Sequence, residues 1–235
     1  MDRLIVLFSV FTLSTVAPFL VRDPEASAVD ELSPRQVLEA GNERYVRGEP
    51  HHLHQGLERR SLVAEGQHPR AVIIGCSDSR VPPEIVFDQG LGDLFVVRSA
   101  GGVLGDAATG SIEYAVEHLQ APLVVVLGHE RCGAVSAVVE SPDLPGHLAA
   151  FVPTIAPVLA EARQAGGDVV DRAVRLTARR IADDLRTCPP FLAEAVQAGH
   201  LEVVAACYDL DTGAVEWLDA PAAPAPVHGH EPALH

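Results

Sequence analysis

Aromatic side chains are scarce in this sequence of 235 residues, at 5% of the total. A core must therefore be built from Val, Leu, Ile and Ala. The hydrophobic content of 48% is enough to build one and excludes a globally disordered chain. Positive charge is also short, with 17 Lys and Arg against 32 Asp and Glu and a formal net charge of -15. No Lys/Arg tract interrupts that excess, which excludes nucleic acid as a partner and gives anionic surfaces no purchase. A small anionic product is not excluded, because it needs only one local donor. Cysteine is confined to positions 76, 132, 188 and 207, too few and too widely spaced for a disulfide scaffold. There is no internal repeat. The length suits one substantial α/β domain.

Three short apolar runs stand out: Ala71 to Gly75, Leu94 to Val97 and Leu123 to Leu127. Continuous runs of this kind suit strands buried on both faces of a mostly parallel sheet. Leu201 to Tyr208 predicts a fourth strand. The turn Asp209 to Gly213 then leads into a short edge strand at Ala214 to Leu218. Helical spacing of Ile112, Ala115, Val116 and Leu119 predicts a helix over 110–119 between the second and third strands. Ser33 with Pro34 marks a helix start, ended by Gly48 and Pro50. Further helices are predicted from Cys132 onward and over 149–164, 168–186 and 190–198. His51, His52 and His54 look like a metal cluster, but no Cys or Asp stands at ligand spacing, so a solvated loop is expected.

Two cysteines sit in chemically suggestive places. Cys76 ends the first strand and is followed by Ser77-Asp78-Ser79-Arg80, while His129 follows the third strand and Cys132 comes three residues later. Ligands in open α/β sheets bind beyond the carboxyl ends of strands, where the strand order reverses. Two thiolates and one imidazole suit zinc and leave one tetrahedral position open, the mark of a catalytic site. A structural site needs a fourth protein ligand, for which Cys188, Cys207 and Asp78 are the candidates. Buried core thiols are the plain alternative. Gly101 to Gly105 is only a loose echo of a dinucleotide-binding fingerprint.

The segment Gly75-Cys76-Ser77-Asp78-Ser79-Arg80-Val81-Pro82 resembles the signature of the β-class carbonic anhydrases. Gly128-His129-Glu130-Arg131-Cys132-Gly133-Ala134 resembles their second zinc motif. Phe95 to Arg98 with Ala100-Gly101, Gly110 to Val116, and Tyr208-Asp209-Leu210 with Thr212-Gly213 resemble further blocks in the same order. The resemblance spans residues 33–218 and implies an α/β fold, a central mostly parallel sheet with an antiparallel edge strand, flanked by helices. It implies one zinc ion per chain on Cys76, His129 and Cys132, and the reversible hydration of carbon dioxide to bicarbonate and a proton. The attacking water is deprotonated by zinc. Two anionic thiolates reduce the charge on zinc, which favours activity at mildly alkaline pH. An Asp78–Arg80 dyad orients the attacking oxygen, and Asp78 is a fourth zinc ligand only in a closed state. Gln67, Phe95, Tyr114 and Gly133 line the substrate pocket. A homodimer or homotetramer is implied, with pockets at the subunit boundary. Ser99 and Gly102 depart from asparagines common in relatives and bear on a loop rather than on the metal. The alternatives are a non-catalytic zinc-binding structural or regulatory protein of the same fold, and a hydrolase of carbon disulfide-like substrates.

Residues Leu4 to Val21 carry no charge and are mostly apolar. Residues 1–28 are expected to be a signal peptide, with Ala26-Ser27-Ala28 as the cleavage site, or a membrane anchor touching lipid through residues 4–21. Export or membrane association is favoured over a cytoplasmic protein with a misassigned start. Residues 29–32 read as a linker, and 219–235, rich in Pro, Ala and His, as a disordered tail.

Overall fold

In the computed structural model, which describes residues 32–164 and 166–218, strands alternate with helices. Helix α1 (Pro34–Arg47) starts as its sequence requires. The Ser33 side chain accepts from the Gln36 N–H, the Gln36 side chain answers at the Ser33 N–H, and Gly48 closes the helix in the left-handed region. Helix α2 (Leu57–Val63) precedes β1 (Ala71–Cys76). Helix α3 (Pro83–Val86), β2 (Leu94–Ser99), α4 (Asp106–Glu117) and β3 (Leu123–His129) follow. Next come α5 (Gly133–Glu140), α6 (Val152–Ile155), α7 (Leu159–Gln164), α8 (Val169–Arg186) and α9 (Phe191–Gln197). The strands β4 (Glu202–Tyr208) and β5 (Val215–Trp217) come last.

The five strands form one sheet in the order β2-β1-β3-β4-β5. All pairs are parallel except β4 with β5. The expected class therefore holds: an α/β fold with a mostly parallel sheet and one antiparallel edge strand. Alternate residues of each inner strand face opposite layers. Val72, Ile74, Val124 and Val126 pack with residues of α4, α8 and α9, while Ala71, Ile73, Val125 and Leu127 pack with Leu38 of α1 and with Val86 and Phe87. That is why these strands read as unbroken apolar runs. Asn42 of α1 is buried; its amide donates to the carbonyls of Val86 and Gly213 and accepts from the Val215 N–H.

Strand order reverses between β1 and β3, since the chain leaves β1 for β2 on one side and returns to β3 on the other. Cys76 ends β1 and His129 ends β3, so both ligands reach the crevice at the switch point. Helix α8 covers this region with an apolar stripe at helical spacing: Ala173, Val174, Thr177, Ala178, Ile181, Ala182 and Leu185. Gly128 permits the approach, because a Cβ there would stand 2.9 Å from Val174 Cγ1.

Several expectations are corrected. Residues 149–164 do not form one helix but short α and 3-10 pieces over 146–164. Pro153 and Pro157 fall inside the stretch, where each removes an N–H and crowds the preceding turn. The helix expected over 110–119 begins earlier, at Asp106. The expectations of membrane contact through residues 4–21 and of an exported or membrane-associated location are also corrected. Among the described residues no helix is long and apolar enough to cross a membrane. The longest, α8, alternates its apolar stripe with Asp171, Arg172, Arg175, Arg179, Arg180, Asp183, Asp184 and Arg186. Residues 1–31, including the segment 4–21, and the tail 219–235 lie outside the described residues.

Candidate metal centre

Cys76 and His129 are delivered by strand ends, and Cys132 by the turn that caps α5. One ligand atom from each lies within 4.8 Å of the other two, and all three residues are buried. The imidazole is set for metal binding by its other nitrogen: Nδ1 meets the Glu130 carbonyl at 2.9 Å, which places the proton there and leaves Nε2 with a free lone pair. Nε2 is buried and has no hydrogen-bond partner. An orphaned buried imidazole nitrogen facing two thiols is what a soft divalent cation would satisfy, and the donor set fits zinc.

Backbone groups prepare the sulfurs. The Gly101 N–H donates to Cys76 Sγ at 3.2 Å. Gly101 takes a φ of 68°, and a Cβ there would come within 3.2 Å of the Ala134 side chain. Glycine is therefore needed both for the conformation and for the space. Its hydrogen bond with the Cys132 thiol holds Cys76 well below the ordinary thiol range against the opposing effect of burial. The same bond, with burial, pushes Cys132 well above the thiol range. Cys207, opposite Gly128 in the sheet, is pushed up to about 12 by burial and stands outside the cluster. Cys188 also stands outside it.

Asp78 and Arg80 form a two-pronged pair. Arg80 Nε donates to Oδ1 at 2.9 Å and Nη2 to Oδ2 at 2.7 Å, and the Arg80 N–H adds a third bond at 3.0 Å. These bonds hold the Asp78 carboxyl far below its ordinary range. Asp78 Oδ2 lies 3.9 Å from His129 Nε2. Arg98, the last residue of the Phe95 to Arg98 block, staples this turn: Nε donates to the Cys76 carbonyl at 2.9 Å and Nη2 to the Asp78 carbonyl at 2.6 Å. Ser99 donates through its hydroxyl to the Val103 carbonyl, and Gly102 is left-handed at φ 67°, so these two shape the loop that presents Gly101.

The remaining predicted residues do not join the cluster. Gln67 is exposed on the loop before β1. Phe95 lies four residues before Ser99, the partner of Cys76 in the sheet register, so it is set back by about 13 Å along the strand. Tyr114 is 49% exposed, and its ring lies 6.5 Å from that of Phe95 and 5.1 Å from that of His118. Gly133 is exposed at the start of α5, and a Cβ there would meet nothing within 4 Å. His51, His52 and His54 form no metal cluster among the described residues. His54 pairs with Asp93, and the His51 and His52 N–H groups donate to Asp88. A second group, Glu130, Asp209 and Asp211, is acidic and partly exposed, and Asp211 is taken by Arg131.

Residues 71–215 match the family model described as carbonic anhydrase. The chain is 44% identical over 182 residues to carbonic anhydrase 2 of Mycobacterium tuberculosis, covering 76% of this chain and 88% of that protein. The solved β-carbonic anhydrase CafA of Aspergillus fumigatus superposes with a TM-score of 0.60 at 33% identity, over 69% of this chain and 81% of that one. A tetrameric β-carbonic anhydrase of Sordaria macrospora superposes with a TM-score of 0.61 at 28% identity, over 68% and 86%.

Proposed function

The chain belongs to the β-class carbonic anhydrases, and on that footing we propose how its own residues divide the work of the zinc-dependent, reversible hydration of carbon dioxide to bicarbonate and a proton. The observation that carries the proposal is a Cys76, His129, Cys132 cluster with a carboxylate, Asp78, standing 3.9 Å from the imidazole while Arg80 grips it. Zinc, when bound to the three ligands, supplies a Lewis acid that brings the pKa of a water towards neutrality. No further His, Cys, Asp or Glu joins the cluster among the described residues, which speaks against a closed structural site.

Asp78 is the orienting acceptor. Its carboxyl is ionised throughout the neutral range, because the Arg80 guanidinium holds its pKa down. It can only accept, so it selects an attacking oxygen that still carries a hydrogen and turns the lone pair of that oxygen towards carbon. For the same reason it does not keep the proton, which passes to buffer. The Arg80 guanidinium makes two bonds to Asp78 and a third, long contact of 3.5 Å to the Arg131 carbonyl, which ties the dyad to the turn bearing Cys132. A closed state requires that grip to open, so the two-pronged pair supports an open resting site.

Gln67, Phe95, Tyr114 and Gly133 serve the substrate. Carbon dioxide is neutral and apolar, and the two aromatic rings give it a wall, while the Gln67 amide donates to an oxygen of carbon dioxide or bicarbonate. Open space at Gly133 leaves room beside the ligand turn. Within one chain Gln67, Phe95 and Tyr114 are set apart from the cluster, so a second copy of the chain brings them to it. The exposure of Gln67 and Tyr114 supports this, as do Leu57 at 72% and Leu62 at 64% exposed on α2.

Stopped-flow hydration of carbon dioxide, run beside zinc quantification, tests the proposal. Hydration well above buffer is expected from protein carrying about one zinc per chain. Zinc-loaded protein that gives no hydration above buffer overturns it.

A further inference from the structure

We infer that the cavity beside the metal cluster holds one buried water, bridging the Thr177 hydroxyl to a zinc-ligating sulfur. The inference rests on the zinc reading above and extends it to a residue outside every motif.

Thr177 lies in the stripe of α8 that faces the sheet, among Ala173, Val174, Ala178 and Ile181, and is only 2% exposed. Its Oγ1 is buried without a hydrogen-bond partner. Threonine in a helix ordinarily satisfies its hydroxyl at the carbonyl one turn back, here Ala173, and this one does not. A buried hydroxyl left unpaired is costly, so a partner is required. Thr177 walls a cavity of about 20 Å³ together with Cys76, His129 and Cys132, and otherwise with apolar residues such as Ile74, Val126 and Ile181. A water needs roughly 10–15 Å³ of such space, so beside a cation held by the three ligands the cavity has room for one water at most. The other orphaned atom in this wall, His129 Nε2, is accounted for by the metal. Thr177 is no part of the ligand cluster, and its hydroxyl is not accounted for that way.

The sulfurs of Cys76 and Cys132 are acceptors within the same wall. Cys76 already receives the Gly101 N–H. An O–H···S bond draws electron density from a thiolate and weakens its donation to the cation. Two thiolates blunt a Lewis acid, and hydrogen bonds to them restore part of its strength. Thr177 thereby acts through the water as a positioning residue for the ligand set.

The experiment compares the wild type with Thr177→Val and Thr177→Ser, each zinc-loaded for crystallography and cobalt-substituted for spectroscopy, with metal content measured on every sample. Density for one water within about 3.2 Å of Thr177 Oγ1 is expected in the wild type and in the Ser variant, and none in the Val variant. The sulfur-to-cobalt charge-transfer band is expected to shift in Thr177→Val and to return in Thr177→Ser. The melting temperature is expected to fall in Thr177→Val, whereas removal of a truly unpaired hydroxyl would raise it. A wild-type structure with Thr177 turned onto the Ala173 carbonyl and no density in the cavity overturns the inference. So does a Val variant with an unchanged band and an equal or higher melting temperature. Should the Val variant not fold, the wild-type and Ser density decides alone. Wild-type protein that binds no metal would instead refute the zinc reading, and the metal analysis separates the two failures.

Discussion

The metal end of the sheet and the substrate side of the same chain are built to different degrees of completion. At the metal end all three ligands are buried, the Gly101 N–H fixes Cys76 and the Glu130 carbonyl fixes His129, while Arg80 grips the neighbouring Asp78 and Arg98 the turn between. On the substrate side Gln67 and half of Tyr114 face outward, and α2 buries no side chain. One chain thus preorganises its ligand cluster but leaves the residues proposed for the pocket wall in the open. A polypeptide can enforce angstrom geometry where parallel strands end together, because sheet register fixes those ends. It cannot do so on a loop and a short helix that buries none of its own side chains.

The sharpest way to break the metal end is Cys132→Ser. Zinc content should collapse, and the hydration rate should fall by more than about a hundredfold, since the hydroxyl is a poor replacement for a thiolate. A variant with full zinc and full rate would remove Cys132 from the ligand set. Asp78→Asn is a milder cut at the same end. It should keep its zinc and lose about 10- to 100-fold in rate, the usual loss when a group that orients a metal site is removed. Because Asp78 is already ionised across the neutral range, the pH–rate profile there should keep its shape while its height falls. The depressed carboxyl pKa stabilises the fold above the ordinary carboxylate range, and that contribution is lost only as pH falls below that range to the depressed pKa, so the variant and the wild type should converge only in strongly acid melts. Loss of zinc would instead make Asp78 a ligand. The smallest expected change at the metal comes from the other side. Leu57→Asp with Leu62→Asp should weaken self-association by about tenfold or more, roughly 1.4 kcal/mol, while zinc per chain stays constant. Sedimentation against concentration reads the association, and unchanged assembly would place the second copy elsewhere on the surface.

The reactive groups were legible because their chemistry is local. Cys76, Asp78 and Arg80 are neighbours, and His129 and Cys132 share one turn, so residue type and spacing offered a candidate ligand set, and the family resemblance of those short segments completed it and supplied the dyad. The inner strands were legible because burial on both faces leaves unbroken apolar runs, and α8 because its stripe repeats at helical spacing. Arg98 was not legible as a staple, since its acceptors belong to β1 and the turn after it and meet it only through the register of Gly75 with Arg98. Helix α2 escaped because a helix that buries nothing imposes no periodicity. The stretch over 149–164 showed helical apolar spacing but misled, as Pro153 and Pro157 cut it into short turns. Thr177 stood in plain view as a hydroxyl inside an apolar stripe, but only the cavity gives it a meaning.

The strand order also sets a timetable. Cys76 and His129 become neighbours only through the pairing of β1 with β3, and β2 and α4 are threaded between them in sequence. A chain growing from its N-terminus carries Cys76 long before it carries a second ligand, and local collapse around β1 and β2 creates no site. Loop closure across that interval must come first, and it is the slow, non-local kind. The cation is therefore a witness to finished topology rather than a seed for it.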